Sequence, residues 1–146
     1  VTALFEHSPW VEERADARPS SGDRHADLMA IVHDATTDEQ LALIRAHPEL
    51  VGKAAIDGTL TKASAAEQAS AGLDRMTPAE YERFHALNAA YRERFDFPFI
   101  ICVRLTDKAG ILVAMETRLA NSREQEISTA IEQIGEIVRL RLEEAV

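Results

Sequence analysis

Phe97-Pro98-Phe99-Ile100-Ile101-Cys102-Val103 is an unbroken apolar run of β-like composition, and its reading decides the fold class. By periodicity it fits a buried strand. A lone strand has nothing to pair with, and the rest of the chain offers little alternating apolar and polar sequence. The run is therefore read as a buried extended segment or the start of a helix, set near residues 97–103 in an all-α, single-domain multi-helix bundle. Its buried N–H and C=O groups then need polar partners. A substrate rich in amide groups would be one such partner.

On either side of this run the signals are helical. Upstream, Thr77-Pro78-Ala79-Glu80 combines an N-cap, proline at the first helical position and Glu at the capping-box position. Tyr81, Phe84, Asn88, Tyr91 and Phe95 follow on one face, an aromatic core stripe in which Asn88 is the polar interruption that needs a partner. Asp96-Phe97-Pro98 ends the helix. Downstream, Lys108-Ala109-Gly110 reads as a turn and residues 111–120 as a helix. Ser122 with Gln125 caps a last helix running toward residue 144, with Ile127, Ile131, Ile134, Val138 and Leu142 along one side. Arg141 falls on that stripe and Arg139 does not. An arginine there either snorkels at the edge or is buried with an anionic partner.

The first half reads as shorter helices. Leu4, Phe5 and Trp10 form an apolar N-terminal segment, with Trp10 expected to be largely buried. A helix runs from Pro9 through Ala17, and Arg18-Pro19-Ser20-Ser21-Gly22 is a loop. Asp23 or His25 opens the second helix. Thr37 with Gln40 matches a capping box for the third, which runs into His47-Pro48. Proline disfavours helical geometry in the residue before it, so His47 stands at the helix C-terminus, where the partial negative charge favours a protonated imidazole. Asp57-Gly58 breaks the pattern. Thr61 and Ser64 are both possible N-caps of the next helix, and Ser64 with Glu67 has capping-box spacing, so Glu67 has a structural reading as a cap and a chemical one as a pocket carboxylate. Gly72 weakens or ends that helix.

Composition bounds the function. The chain has 146 residues, 46% of them hydrophobic, which suits one domain with one core. No apolar run approaches the roughly 20 residues of a membrane span, and no signal-peptide pattern or peroxisomal tail is present, so a cytoplasmic protein without membrane association is expected. A net charge of −9 argues against nucleic acid as partner, although a few pocket arginines can still hold a small anion. Cys102 is the only cysteine; in an apolar run it is a poor nucleophile. His7, His25, His33, His47 and His85 show no zinc-binding spacing, so no metal site is expected. What remains is proton transfer by a His–Glu pair with an arginine to hold an anion, His47 and Glu67 being the candidates. The alternative is a noncatalytic helical binding or interaction protein.

Several blocks together resemble one family. They are Glu6-His7-Ser8-Pro9-Trp10-Val11, Arg45-Ala46-His47-Pro48-Glu49-Leu50, Ser64-Ala65-Ala66-Glu67-Gln68 with Ala71-Gly72-Leu73, the Phe97 to Val103 run, and Glu136-Ile137-Val138-Arg139-Leu140-Arg141-Leu142. Their order and context are similar to those of the OHCU decarboxylases, 2-oxo-4-hydroxy-4-carboxy-5-ureidoimidazoline decarboxylases of uric acid breakdown. The resemblance implies an all-helical homodimer that acts without a cofactor and converts an anionic ureidoimidazoline to (S)-allantoin. It implies His47 as catalytic proton donor and Glu67 as its carboxylate partner. It also implies substrate contacts from Pro48, from Ser64, Ala65, Ala66, Glu67 and Gln68, and from Phe99, Ile100, Ile101, Cys102 and Val103, the last group through the backbone. Arg141 matches a family arginine, with Arg139 close by.

Overall fold

The computed structural model describes residues 4–5, 7–50 and 62–144. Seven α-helices and one short 3₁₀ turn carry the described chain, and no strand occurs among these residues. The helices are α1 (Trp10–Asp16), α2 (Arg24–Asp34), α3 (Thr37–Ala46), α4 (Lys62–Ser70), α5 (Pro78–Phe95), α6 (Lys108–Arg118) and α7 (Arg123–Glu144), with the 3₁₀ turn at Val103–Leu105. The long α7 is the spine: α2 and α3 pack on it, α1 packs on α2, α5 on α6, and α4 lies against the 3₁₀ turn. Gly135 lets α2 approach closely. A Cβ there would stand 3.1 Å from the Met29 methyl, and the His25 ring Nε2 sits 2.9 Å from the Gly135 carbonyl oxygen.

Capping residues set most helix starts. Thr77 and Glu80 form the reciprocal box at α5 with Pro78 in the first turn, and Ser122 and Gln125 exchange hydrogen bonds at α7, both as the sequence predicts. At α3 the box is one residue earlier than expected. Thr36 accepts from the Glu39 N–H and Glu39 accepts from the Thr36 N–H, while Gln40 donates to the Val32 carbonyl. Asp107 caps α6, so Lys108-Ala109-Gly110 is its first turn instead of a separate turn. Ser64 lies inside α4, and the box it was expected to form with Glu67 is absent; Thr61 and Asp57-Gly58 lie outside the described residues. Gly72, at φ +82°, closes α4: the Leu73 N–H reaches back to the Gln68 carbonyl and the Gly72 N–H to that of Ala69. This is a Schellman closure, whose left-handed residue favours glycine.

Phe97 lies in a bend, residues 98–102 carry no helix or strand, and Cys102, in extended geometry, leads into the 3₁₀ turn. The run is held by side chains. The Cys102 N–H donates to Gln133 Oε1 at 2.8 Å, and Arg118 Nη1 donates to the Ile100 carbonyl at 2.7 Å. Arg118 is itself buried against Glu126, which also accepts from the Tyr91 hydroxyl and from Asn121. Phe99 packs edge-on to Tyr91 under the Arg118 guanidinium. On α5, Phe84, Asn88, Tyr91 and Phe95 are buried, whereas Tyr81 at the stripe's start is exposed. Trp10 is only half-buried, with the Arg14 guanidinium over its ring.

Candidate active site

Four stretches meet at one cavity. The first is the end of α3. His47 is its C-cap, with ψ 133° and its N–H on the Ile44 carbonyl, the break in helical geometry that Pro48 imposes. Two contacts fix this corner. Arg45 binds the carboxylate and carbonyl of Asp96, the left-handed C-cap of α5, and Asn88 Nδ2 donates to the Leu50 carbonyl at 2.7 Å. Asn88 thus finds its partner in the His47–Leu50 corner itself.

The second stretch is α4. Ser64, Glu67 and Gln68 share one helical face by their three- and four-residue spacing, and all three line the cavity. Ala65 and Ala66 lie on the exposed side of the helix. The third is the extended segment, which contributes Ile101, Cys102, Val103 and Arg104 to the walls. Phe99 and Ile100 do not reach the cavity lining and belong to the core. The fourth is α7, through Ile137. The cavity, open at one side, encloses about 330 Å³ including its solvent-filled mouth.

Glu67 owes its orientation to Arg141. One carboxylate oxygen accepts from Arg141 Nη2 at 2.7 Å and the other from Nε at 2.9 Å, a two-point pair whose arginine side chain is 1% exposed. Arg141 also donates to Ser64 Oγ and to the Leu4 carbonyl. Of the sequence alternatives, burial with an anionic partner is the one realised. Arg139 lies outside the site, paired along the surface of α7 with Glu136 and Glu143. Helix-cap duty for Glu67 is replaced by this pair across the fold.

Burial pushes the Cys102 thiol above its ordinary range, and the nearby Glu67 and Glu136 charges add to the effect over the opposing N–H and charge of Arg104. Cys102 is thus a wall and not a nucleophile at neutral pH. No group of three or more metal-ligating side chains occurs among the described residues. Arg104, Gln133 and Ile137 escaped sequence reasoning. Arg104 directly follows the apolar run, and its position beside a proposed pocket wall was a usable signal.

A cationic and anionic pair beside a small, part-apolar cavity that His47 also lines has the residue types for proton transfer to a small polar molecule. The family model described as OHCU decarboxylase matches residues 1–143, and the chain belongs to that family. It is 43% identical over 144 residues to the 2-oxo-4-hydroxy-4-carboxy-5-ureidoimidazoline decarboxylase of Haloferax volcanii, covering 97% of this chain and 83% of the relative. Among solved structures it resembles an (S)-allantoin synthase at 32% identity and a TM-score of 0.73, covering 99% of this chain but 47% of that one. An OHCU decarboxylase crystallised in the presence of (S)-allantoin is similar in fold, with a TM-score of 0.74 at 18% identity, over 97% of this chain and 94% of that one.

Proposed function

We propose that this chain decarboxylates 2-oxo-4-hydroxy-4-carboxy-5-ureidoimidazoline to (S)-allantoin in urate degradation, with His47 as proton donor. The observation that carries the reading is the shared cavity: His47 at the end of α3 and Glu67 on α4 line one space with the 101–104 segment. Family membership supplies the reaction, and the relatives' names supply the substrate. Loss of CO₂ breaks a carbon–carbon bond and leaves its electron pair on the conjugated ring. One proton must then be delivered to the ring, and the face that receives it sets the product's handedness. His47 gives that proton from the rim of the cavity. In this reading Glu67, locked by Arg141, is the carboxylate that orients the imidazole.

No step in this scheme calls on a cofactor. The substrate contacts come from Pro48, Ser64, Gln68 and Ile101 to Val103, all at the cavity, with Arg141 acting through Glu67 and Ser64. Ala65, Ala66, Phe99 and Ile100 frame the site from outside it. The single buried cysteine fits a cytoplasmic home, and a homodimer is the proposed assembly.

Freshly generated substrate, followed by circular dichroism for (S)-allantoin, tests the proposal. The wild-type chain is expected to yield the S enantiomer, and His47→Ala to lose both acceleration and enantiomeric excess. Full rate and full enantiomeric excess in His47→Ala would remove His47 from the mechanism. A wild-type chain inert toward the substrate would leave the noncatalytic binding scaffold as the reading.

A further inference from the structure

We propose that Arg104 is a specificity-determining residue that receives the substrate's anionic carboxylate; this rests on the decarboxylase reading above. Arg104 sits in the 3₁₀ turn immediately after the extended segment and lines the cavity with His47 and Glu67. Its guanidinium is half committed. Nη2 pairs with Glu144 at 2.9 Å near the end of α7, while Nη1 is shut from solvent and has no hydrogen-bond partner among the described residues. A buried, charged donor left unsatisfied is costly, and a native structure that keeps one calls for an explanation.

The other charged groups at the site do not offer the same capacity. Arg141 spends its donors on both Glu67 oxygens, Ser64 Oγ and the Leu4 carbonyl. Glu67 would repel a carboxylate. Around Arg104 the walls are Ile101, Val103, Ile137 and Leu50, which lower the local dielectric and strengthen a guanidinium–carboxylate contact. The Glu144 pair uses one arm of the fork, and the other meets a ligand once the guanidinium turns toward the cavity that Arg104 lines.

The charge being read is present in the bound substrate and disperses as CO₂ departs. Arg104 therefore acts mainly on ground-state binding, and its removal raises KM more than it lowers kcat. The product, allantoin, is uncharged at neutral pH and gives the discriminating control.

The experiment compares wild type, Arg104→Gln and Arg104→Lys with freshly generated substrate for kinetics and (S)-allantoin for calorimetric binding. Arg104→Gln is expected to raise KM about tenfold or more while kcat stays within about threefold and allantoin affinity within about twofold, as the loss of a charge-assisted contact implies. Arg104→Lys, a charge without the fork, should give an intermediate KM, and it carries the test if Arg104→Gln does not fold. A wild-type KM in both variants overturns the assignment. So does equal loss of substrate and allantoin binding, which marks a merely structural residue. An inactive wild-type chain sinks the decarboxylase reading itself, and Arg104's role with it, whereas an active wild type with indifferent variants sinks Arg104 alone.

Discussion

Arg141→Met, Glu67→Gln and the double substitution form a cycle that measures how much of the site's geometry is held by one ion pair. The pair has two hydrogen bonds, at 2.7 and 2.9 Å, and side-chain exposures of 1% for Arg141 and 12% for Glu67. Glu67→Gln leaves a guanidinium with nowhere to hydrate, and removing one partner of such a pair costs about 3–5 kcal/mol. Arg141→Met strands a carboxylate that sits at a cavity and can recruit water, so about 3 kcal/mol is expected, the low end of the same range. The double variant removes both charges and should cost about 3 kcal/mol, well short of the sum, giving a coupling energy of about 3–5 kcal/mol. Urea unfolding followed by far-UV circular dichroism reads these values, and a loss of about 3 kcal/mol should also lower Tm by roughly 10 °C in a domain of this size. Arg139→Gln is the internal control. Its partners Glu136 and Glu143 are well exposed, so it should cost less than about 1 kcal/mol and respond to salt. Additive single costs under about 1 kcal/mol each would refute the claim that the pair is a buried, mutually dependent unit.

Cys102 should resist alkylation by iodoacetamide in the native protein at neutral pH and react at the rate of a simple thiol once denatured, because burial both hides the sulfur and raises its pKa; fast native labelling contradicts that wall assignment. Tyr91 is pushed above its ordinary pKa of 10.0 by burial, with its hydrogen bond to Glu126 adding to the rise. The folded state thus holds the phenolic proton more tightly than the unfolded chain. The associated stability is fully present below the ordinary value and is lost as pH rises above it. Tyr91→Phe should flatten the alkaline fall of stability in pH-dependent denaturation, and an unchanged alkaline limb would show that the hydroxyl is not responsible.

Local chemistry was legible wherever a few adjacent residues decide the outcome. Thr77-Pro78 and Ser122 start their helices where expected, and Pro48 ends α3 at His47. At α3 two adjacent threonines each had an acceptor three residues on. Glu39, an anion reaching the first N–H groups, took the box, and Gln40 was drawn to the Val32 carbonyl instead. The candidate site was legible in composition more than in geometry. His47, Ser64, Glu67 and Gln68 do meet, but Glu67 was read through its neighbour Ser64 when its partner lies 74 residues away. Two side-chain partners of the 97–103 backbone were missed for the same reason. Gln133 and Arg118 are ordinary surface-type residues in sequence, and only the packing of α6 and α7 shows that their heads turn inward. Arg104 was passed over because the apolar run drew attention to what precedes it.

The Arg141 anchor also bears on how the protein is made. Its guanidinium collects Leu4, Ser64 and Glu67, residues drawn from widely separated parts of the chain, and it sits near the end of the last helix. During synthesis most of the pocket's walls emerge before the residue that locks them. Until α7 docks, Glu67 is a lone carboxylate beside an apolar wall, so contacts of long sequence separation must close late and together. The pocket rests on a contact between residues 74 positions apart, Glu67 and Arg141, so its geometry forms only with the tertiary fold.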